Sequence, residues 1–187
     1  MTERNNIFLH LSERLIKIYT LGHSNRSLEE LVDLLQTFGI ETLADIRSLP
    51  GSSKFPGFNR ENLESLLPQN GIRYLWLQKL GGLRHSRKDF QSPNNGLTNS
   101  SFRSYADYMG TDNFVDGVQE LLETASESST VCMCAEAVYW RCHRRLLSDY
   151  LVAHGVDVIH ILSRKQAIPH EMTPGSLVTS QGHVIYP

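Results

Sequence analysis

Cysteine is scarce in this chain, and its placement excludes a disulfide framework. Cys132, Cys134 and Cys142 are an odd number confined to eleven consecutive residues, whereas secreted frameworks spread their cysteines along the chain. A reducing cytosol is the expected home. No apolar run is long enough to span a bilayer, and Met1 to Ile16 intersperses Glu3, Arg4, Glu13 and Arg14 among Ile7, Phe8 and Leu9, which leaves no signal-peptide core. Neither a G-x-G-x-x-G fingerprint nor a P-loop is present, so no nucleotide cofactor is expected. A one-sided charge is also missing. Lys and Arg number 18 against 20 Asp and Glu, giving a net charge of -2, which argues against a sequence-independent nucleic-acid binder but not against a small nucleotide.

What remains is an ordinary globule of 187 residues, 40% apolar and 20% charged, long enough to bury a core as one α/β domain without staples. The charge is unevenly distributed. Ser104 to Thr130 carries six acids and no Lys or Arg, whereas Lys54 to Asp89 carries seven bases against three acids. An anionic ligand on the basic side fits this pattern, as does a solvated face.

Short apolar strands are expected at Ile16 to Leu21, Ile40 to Ile46, Ile72 to Trp76, Thr130 to Cys134 and Val156 to Leu162. Helical periods fall between them. Ser27 and Glu30 have capping-box spacing ahead of Leu28, Leu31, Leu35 and Phe38, and Gly39 stands where a left-handed cap belongs. Further helices are expected from a cap at Asn59 to about Leu67, and at Phe102 to Met109, Asp112 to Ala125 and Trp140 to His154, with a long loop over Leu83 to Ser101. This alternation predicts a three-layer domain: a mainly parallel sheet of five or slightly more strands with helices on both faces.

Ligands of open parallel sheets bind beyond the strands' carboxyl ends, so residues at those ends form one candidate set. They are His23, Ser24 and Asn25 after the first strand, Asp45 and Arg47 at the second, Gly81 and Gly82 after the third, and Cys134, Glu136, Cys142, His143 and Arg144 after the fourth. His160 lies within the fifth strand.

An ordered series of motifs resembles the domain of unknown function 488 family over about Ile18 to His160. These are Thr20 to Ser27 (TLGHSNRS), Asp45-Ile46-Arg47 with Pro50, Gly71 to Tyr74 (GIRY), Leu80-Gly81-Gly82, Phe102 to Met109 (FRSYADYM), and Cys134-Ala135-Glu136 followed by Cys142-His143-Arg144. The resemblance implies the fold class above and an enzymatic or nucleotide-related role without specifying a reaction. Residues 163–187 read as a C-terminal extension beyond it.

Glu136 and Asp45 are the expected catalytic carboxylates, because burial at a strand end raises a carboxyl pKa toward working pH. Arg47 and Arg144 can instead make a structural ion-pair network of them. His143, at a helix start among Arg141, Arg144 and Arg145, either serves an anion site or packs and hydrogen-bonds in the crevice, and His23 either binds substrate or donates to a backbone carbonyl in its turn. Cys132 and Cys134, two apart in a strand, are poorly spaced for one zinc, so no metal is expected. A nucleophilic Cys134 is the third possibility, set against an inert buried thiol. Phe55, Phe58, Tyr74, Trp76 and Phe90 can stack nucleobases or simply fill the core.

The preferred expectation is a small enzyme of hydrolytic or group-transfer type acting on a phosphate-bearing, nucleotide-like or sugar-phosphate ligand. Glu136 works in it with Asp45 and His143, Arg47 and Arg144 hold the anion, and His23, Ser24, Asn25 and Gly81-Gly82 shape the pocket. The alternatives are a non-catalytic nucleotide or nucleic-acid-associated module and a thiol enzyme using Cys134.

Overall fold

The computed structural model describes residues 15–86 and 90–187. Six strands, β1 (Lys17–Gly22), β2 (Thr42–Asp45), β3 (Arg73–Trp76), β4 (Thr130–Cys134), β5 (Asp157–Ser163) and β6 (Gln166–Pro169), form one sheet in the order β3-β2-β4-β1-β5-β6. All neighbours are parallel except β5 and β6, which form an antiparallel hairpin. The central strands β2 and β4 are buried at every position, as sequences covered on both faces should be.

Among the described residues, five α-helices cover the sheet. On one face α1 (Leu28–Thr37) and α2 (Arg60–Gln69) bury Leu31, Leu35, Leu63 and Leu67 against Leu21, Leu43, Val131 and Met133. On the other, α3 (Ser100–Met109), α4 (Asp112–Glu127) and α5 (Arg144–Ala153) bury Tyr105, Phe114, Leu121 and Leu146 against Ile18, Ala44, Cys132 and Val158. Ser27 and Glu30 form the expected capping box, and Gly39 takes the expected positive φ of 62°.

Three features differ from the sequence expectation. The helix after β4 starts at Arg144 rather than Trp140, because Tyr139–Arg141 forms a separate 3-10 turn. Asn59 does not cap α2 with its side chain; its Oδ1 accepts from Ser52 N–H instead, at 2.6 Å. The segment after Ser163 is built into the domain, supplying β6, the hairpin β7 (Leu177–Val178) with β8 (Val184–Ile185), and core residues Val184 and Tyr186. The expected loop of 83–101 is irregular through Asn99 where described, its last two residues opening α3 instead, and its residues 87–89 lie outside the described residues.

The chain leaves β1 through α1 toward β2 on one face, and leaves β4 through α5 toward β5 on the opposite face. The gap between the carboxyl ends of these two neighbouring strands is therefore the topological switch point. Among the described residues no helix is long and apolar enough to cross a membrane.

Candidate functional site

At the switch point the two post-strand loops are joined by backbone hydrogen bonds, His23 N–H to Cys134 O and Ser24 N–H to Ala135 O, both 2.9 Å. Only glycine fits at the end of β1. A Cβ on Gly22 would stand 1.7 Å from the Glu136 carbonyl oxygen. A cleft of about 500 Å³ opens above this junction, lined by His23, Ser24, Asn25, Arg47, Lys54, Phe55 and Glu136.

Arg47 is fixed from below. The Asp45 carboxylate, wholly buried, accepts from Arg47 N–H (3.0 Å), Nε (2.9 Å) and Nη2 (2.5 Å), and from the Tyr74 hydroxyl (2.7 Å). Arg47 Nη2 also donates to Phe58 O at 2.8 Å, which leaves Nη1 without an oxygen acceptor among the described residues. Burial alone would lower the Arg47 pKa, but the bonds and charge of Asp45 more than reverse that. Burial and Asp45 together push the Tyr74 hydroxyl up.

His23 stacks on Phe58, with ring centroids 4.2 Å apart and planes 12° apart. Its Nδ1 donates to Ser24 O at 3.0 Å, so its Nε2, 3.5 Å from Arg47 Nη1, carries the lone pair. Burial, and then the Arg47 charge, lower its pKa to about 4, so the ring is neutral at pH 7. Glu136 is solvent-exposed rather than buried at the strand end. Its carbonyl, rather than its carboxylate, accepts from Arg144 Nη2. Arg144 is 1% exposed, and its Nε has no hydrogen-bond partner among the described residues.

The expected residues therefore divide. His23, Ser24, Asn25, Arg47 and Glu136 share the cleft; Asp45 and Arg144 lie beneath it and brace it. Cys134, His143, Gly81 and Gly82 are not in its lining. Gly81 packs on Ser48, and Gly82 on the His143 ring. His143 does not face an anion site at the start of α5; its Nε2 donates to Ile46 O at 3.1 Å and its Nδ1 faces two thiols. The Cys142 bond, and then burial, hold the Cys134 thiol well above the ordinary range. At Cys142 burial is outweighed by Cys134, His143 and Arg144, which hold it well below.

Other assignments are settled by contact. Phe58 is core beneath His23, Tyr74 belongs to Asp45, and Trp76 donates to Arg47 O at 2.9 Å. Missed by sequence reasoning was a buried relay in which Thr20 donates to His160 (2.7 Å), His160 to His170 (2.9 Å) and His170 to Asp149 (2.9 Å), with Tyr186 closing on Asp149 (2.7 Å). Only His160 carried a signal, as a polar residue in an apolar strand. Lys54, in the base-rich stretch, was legible as charge but not as cleft wall.

Fold and cleft together define an open, doubly wound α/β domain with a polar crevice at its switch point. A family described as "Domain of unknown function DUF488" matches residues 27–151, and the chain belongs to it. The matched segment begins after His23, Ser24 and Asn25 and ends before β5. No curated protein and no solved structure matches the chain.

Proposed function

We propose that the protein is a hydrolytic or group-transfer enzyme acting on a small phosphate-bearing ligand, nucleotide-like or a sugar phosphate, in the switch-point cleft. The observation that carries this reading is the composition of the lining, in which one carboxylate, Glu136, accompanies two cations, Arg47 and Lys54. Arg47 suits phosphate because its fork is already oriented by Asp45, so little side-chain freedom is lost on binding. Neutral His23 adds no charge, and Phe55 offers an apolar edge for a base or sugar. Glu136, an exposed acceptor, fits a general base that draws a proton from an attacking water or hydroxyl.

Calorimetric titration with inorganic phosphate, nucleoside phosphates and sugar phosphates should find a binder, and turnover of that compound should follow. Glu136→Gln should lower kcat at least about 100-fold while leaving affinity within a few-fold. Lys54→Gln should weaken binding about 5-fold, the scale of one exposed charge contact. Unchanged kcat in Glu136→Gln would sink the catalytic assignment. One observation favours a second reading, a binding module without turnover: Asp45 and His143, the two partners expected to work with Glu136, are both engaged within the fold. Binding without turnover by the wild-type protein would select it.

A further inference from the structure

The three buried donors behind the cleft form a compact set. Cys134 Sγ and Cys142 Sγ lie 3.0 Å apart, Cys142 Sγ lies 3.4 Å from His143 Nδ1, and Cys134 Sγ lies 3.9 Å from it. A triangle with these sides has a centre about 2.0 Å from every corner, so an ion slightly out of its plane meets zinc's bond lengths of about 2.3 Å to sulfur and 2.0–2.1 Å to nitrogen. We propose that Cys134, Cys142 and His143 bind a zinc ion, a role distinct from that of the anion cleft.

The surroundings support this beyond proximity. The bond from His143 Nε2–H to Ile46 O fixes the tautomer and turns the Nδ1 lone pair toward the sulfurs, as outer-sphere carbonyls do for zinc-bound histidines. The ring cannot swing away, since Gly82 packs on it so closely that a Cβ there would stand 2.3 Å from Nδ1, and Tyr105 packs against it as well, with centroids 5.1 Å apart. Arg144, the next residue, is buried and has no carboxylate partner among the described residues, so its charge favours anionic sulfur nearby. Two thiolates and one imidazole are a donor set that selects zinc over magnesium or calcium. As each metal–sulfur bond forms, the thiol proton leaves to solvent, and the two thiolates balance the ion's charge. Three protein donors leave zinc's fourth position to a non-protein ligand, because no fourth His, Cys or carboxylate joins the group among the described residues. Cys132, on the same strand face, is outside it.

The test is elemental analysis and cobalt(II) titration of the whole chain purified under reducing conditions. About one zinc per chain is expected, along with a thiolate-to-cobalt charge-transfer band. Cys142→Ser should weaken the metal at least about 100-fold, beyond the 10- to 100-fold loss typical of outer-sphere changes, while Cys132→Ser keeps it. Folded wild-type protein that retains no zinc and gives no cobalt–thiolate band would overturn the proposal, and that reading does not depend on any variant folding. So would a Cys134–Cys142 disulfide under those conditions, or undiminished affinity in Cys142→Ser. None of these measurements uses the anion ligand, so failure here leaves the cleft's function untouched.

Discussion

Arg47 can meet a ligand only because Asp45 holds it, and that dependence makes the pair structural as well as functional. Replacing Arg47 by Met would strand a fully buried carboxylate with Tyr74 as its remaining side-chain donor, at a cost of about 3–5 kcal/mol. Urea denaturation should show this loss, and adding Asp45→Asn should restore part of it; a loss under about 1 kcal/mol would mean that the pair is not a structural brace. Gly22→Ala tests the junction itself. The methyl collides with backbone, not with a flexible side chain, so a loss of about 1–3 kcal/mol is expected in the same measurement. These details mark how far the sequence could lead. Strand ends were enough to bring His23, Ser24, Asn25, Arg47 and Glu136 together. They could not tell which face each side chain takes, because that depends on register: Asp45 pairs with Met133, so Cys134 projects from the opposite face and carries His143 and Cys142 with it. Zinc looked unfavourable from the Cys132/Cys134 spacing because the 3-10 turn that returns Cys142 to Cys134 leaves no periodic signal.

Among the elements, those with a strong period or a cap were legible. The Ser27–Glu30 box fixes the start of α1, and Ser27→Ala should lower thermal stability by about 1 kcal/mol with the cleft's ligand affinity unchanged. The C-terminal elements were not legible, for a physical reason. Strand β6 is a largely exposed edge ending in Pro169, and β7 and β8 have two residues each, too few for alternation to register. Their anchorage is chemical instead. Asp149 on α5 accepts from His170, Thr173 N–H and Tyr186, fastening 163–187 to the core. Tyr186→Phe removes one bond to a buried carboxylate and should cost about 1.5–3 kcal/mol, with faster amide exchange in β7 and β8. Unchanged exchange there would show that the segment is held by packing alone.

Across the whole molecule, the acidic helix α4 lies on one face of the sheet while the basic Arg47 and Lys54 reach the cleft at its edge, so near-zero net charge is an average over separated signs. The interior adds a pH dependence of its own. His160 is enclosed by Thr20, His170 and the stacked Tyr139, and burial, then His170 and Arg144, lower its pKa to about 3 despite the opposing Asp149 charge. The relay needs His160 neutral, with Nε2–H donating to His170 and Nδ1 accepting from Thr20. An unfolded histidine titrates near 6.5, so the stabilisation is complete above that pH and is lost as pH falls from about 6.5 toward 3, where the unfolded chain binds a proton that the folded one refuses. Neutral His23 acts in the same direction down to about 4. Between pH 6 and 4.5 stability should therefore fall by about 1.4 kcal/mol per pH unit for each of the two rings, before the depressed carboxyl of Asp149 adds its own loss at lower pH. Urea midpoints measured across this range read that slope directly. His160→Gln should make it shallower by about one proton whatever its effect on stability at pH 7, and a wild-type stability that stays flat from pH 7 to 4.5 would refute the neutral relay.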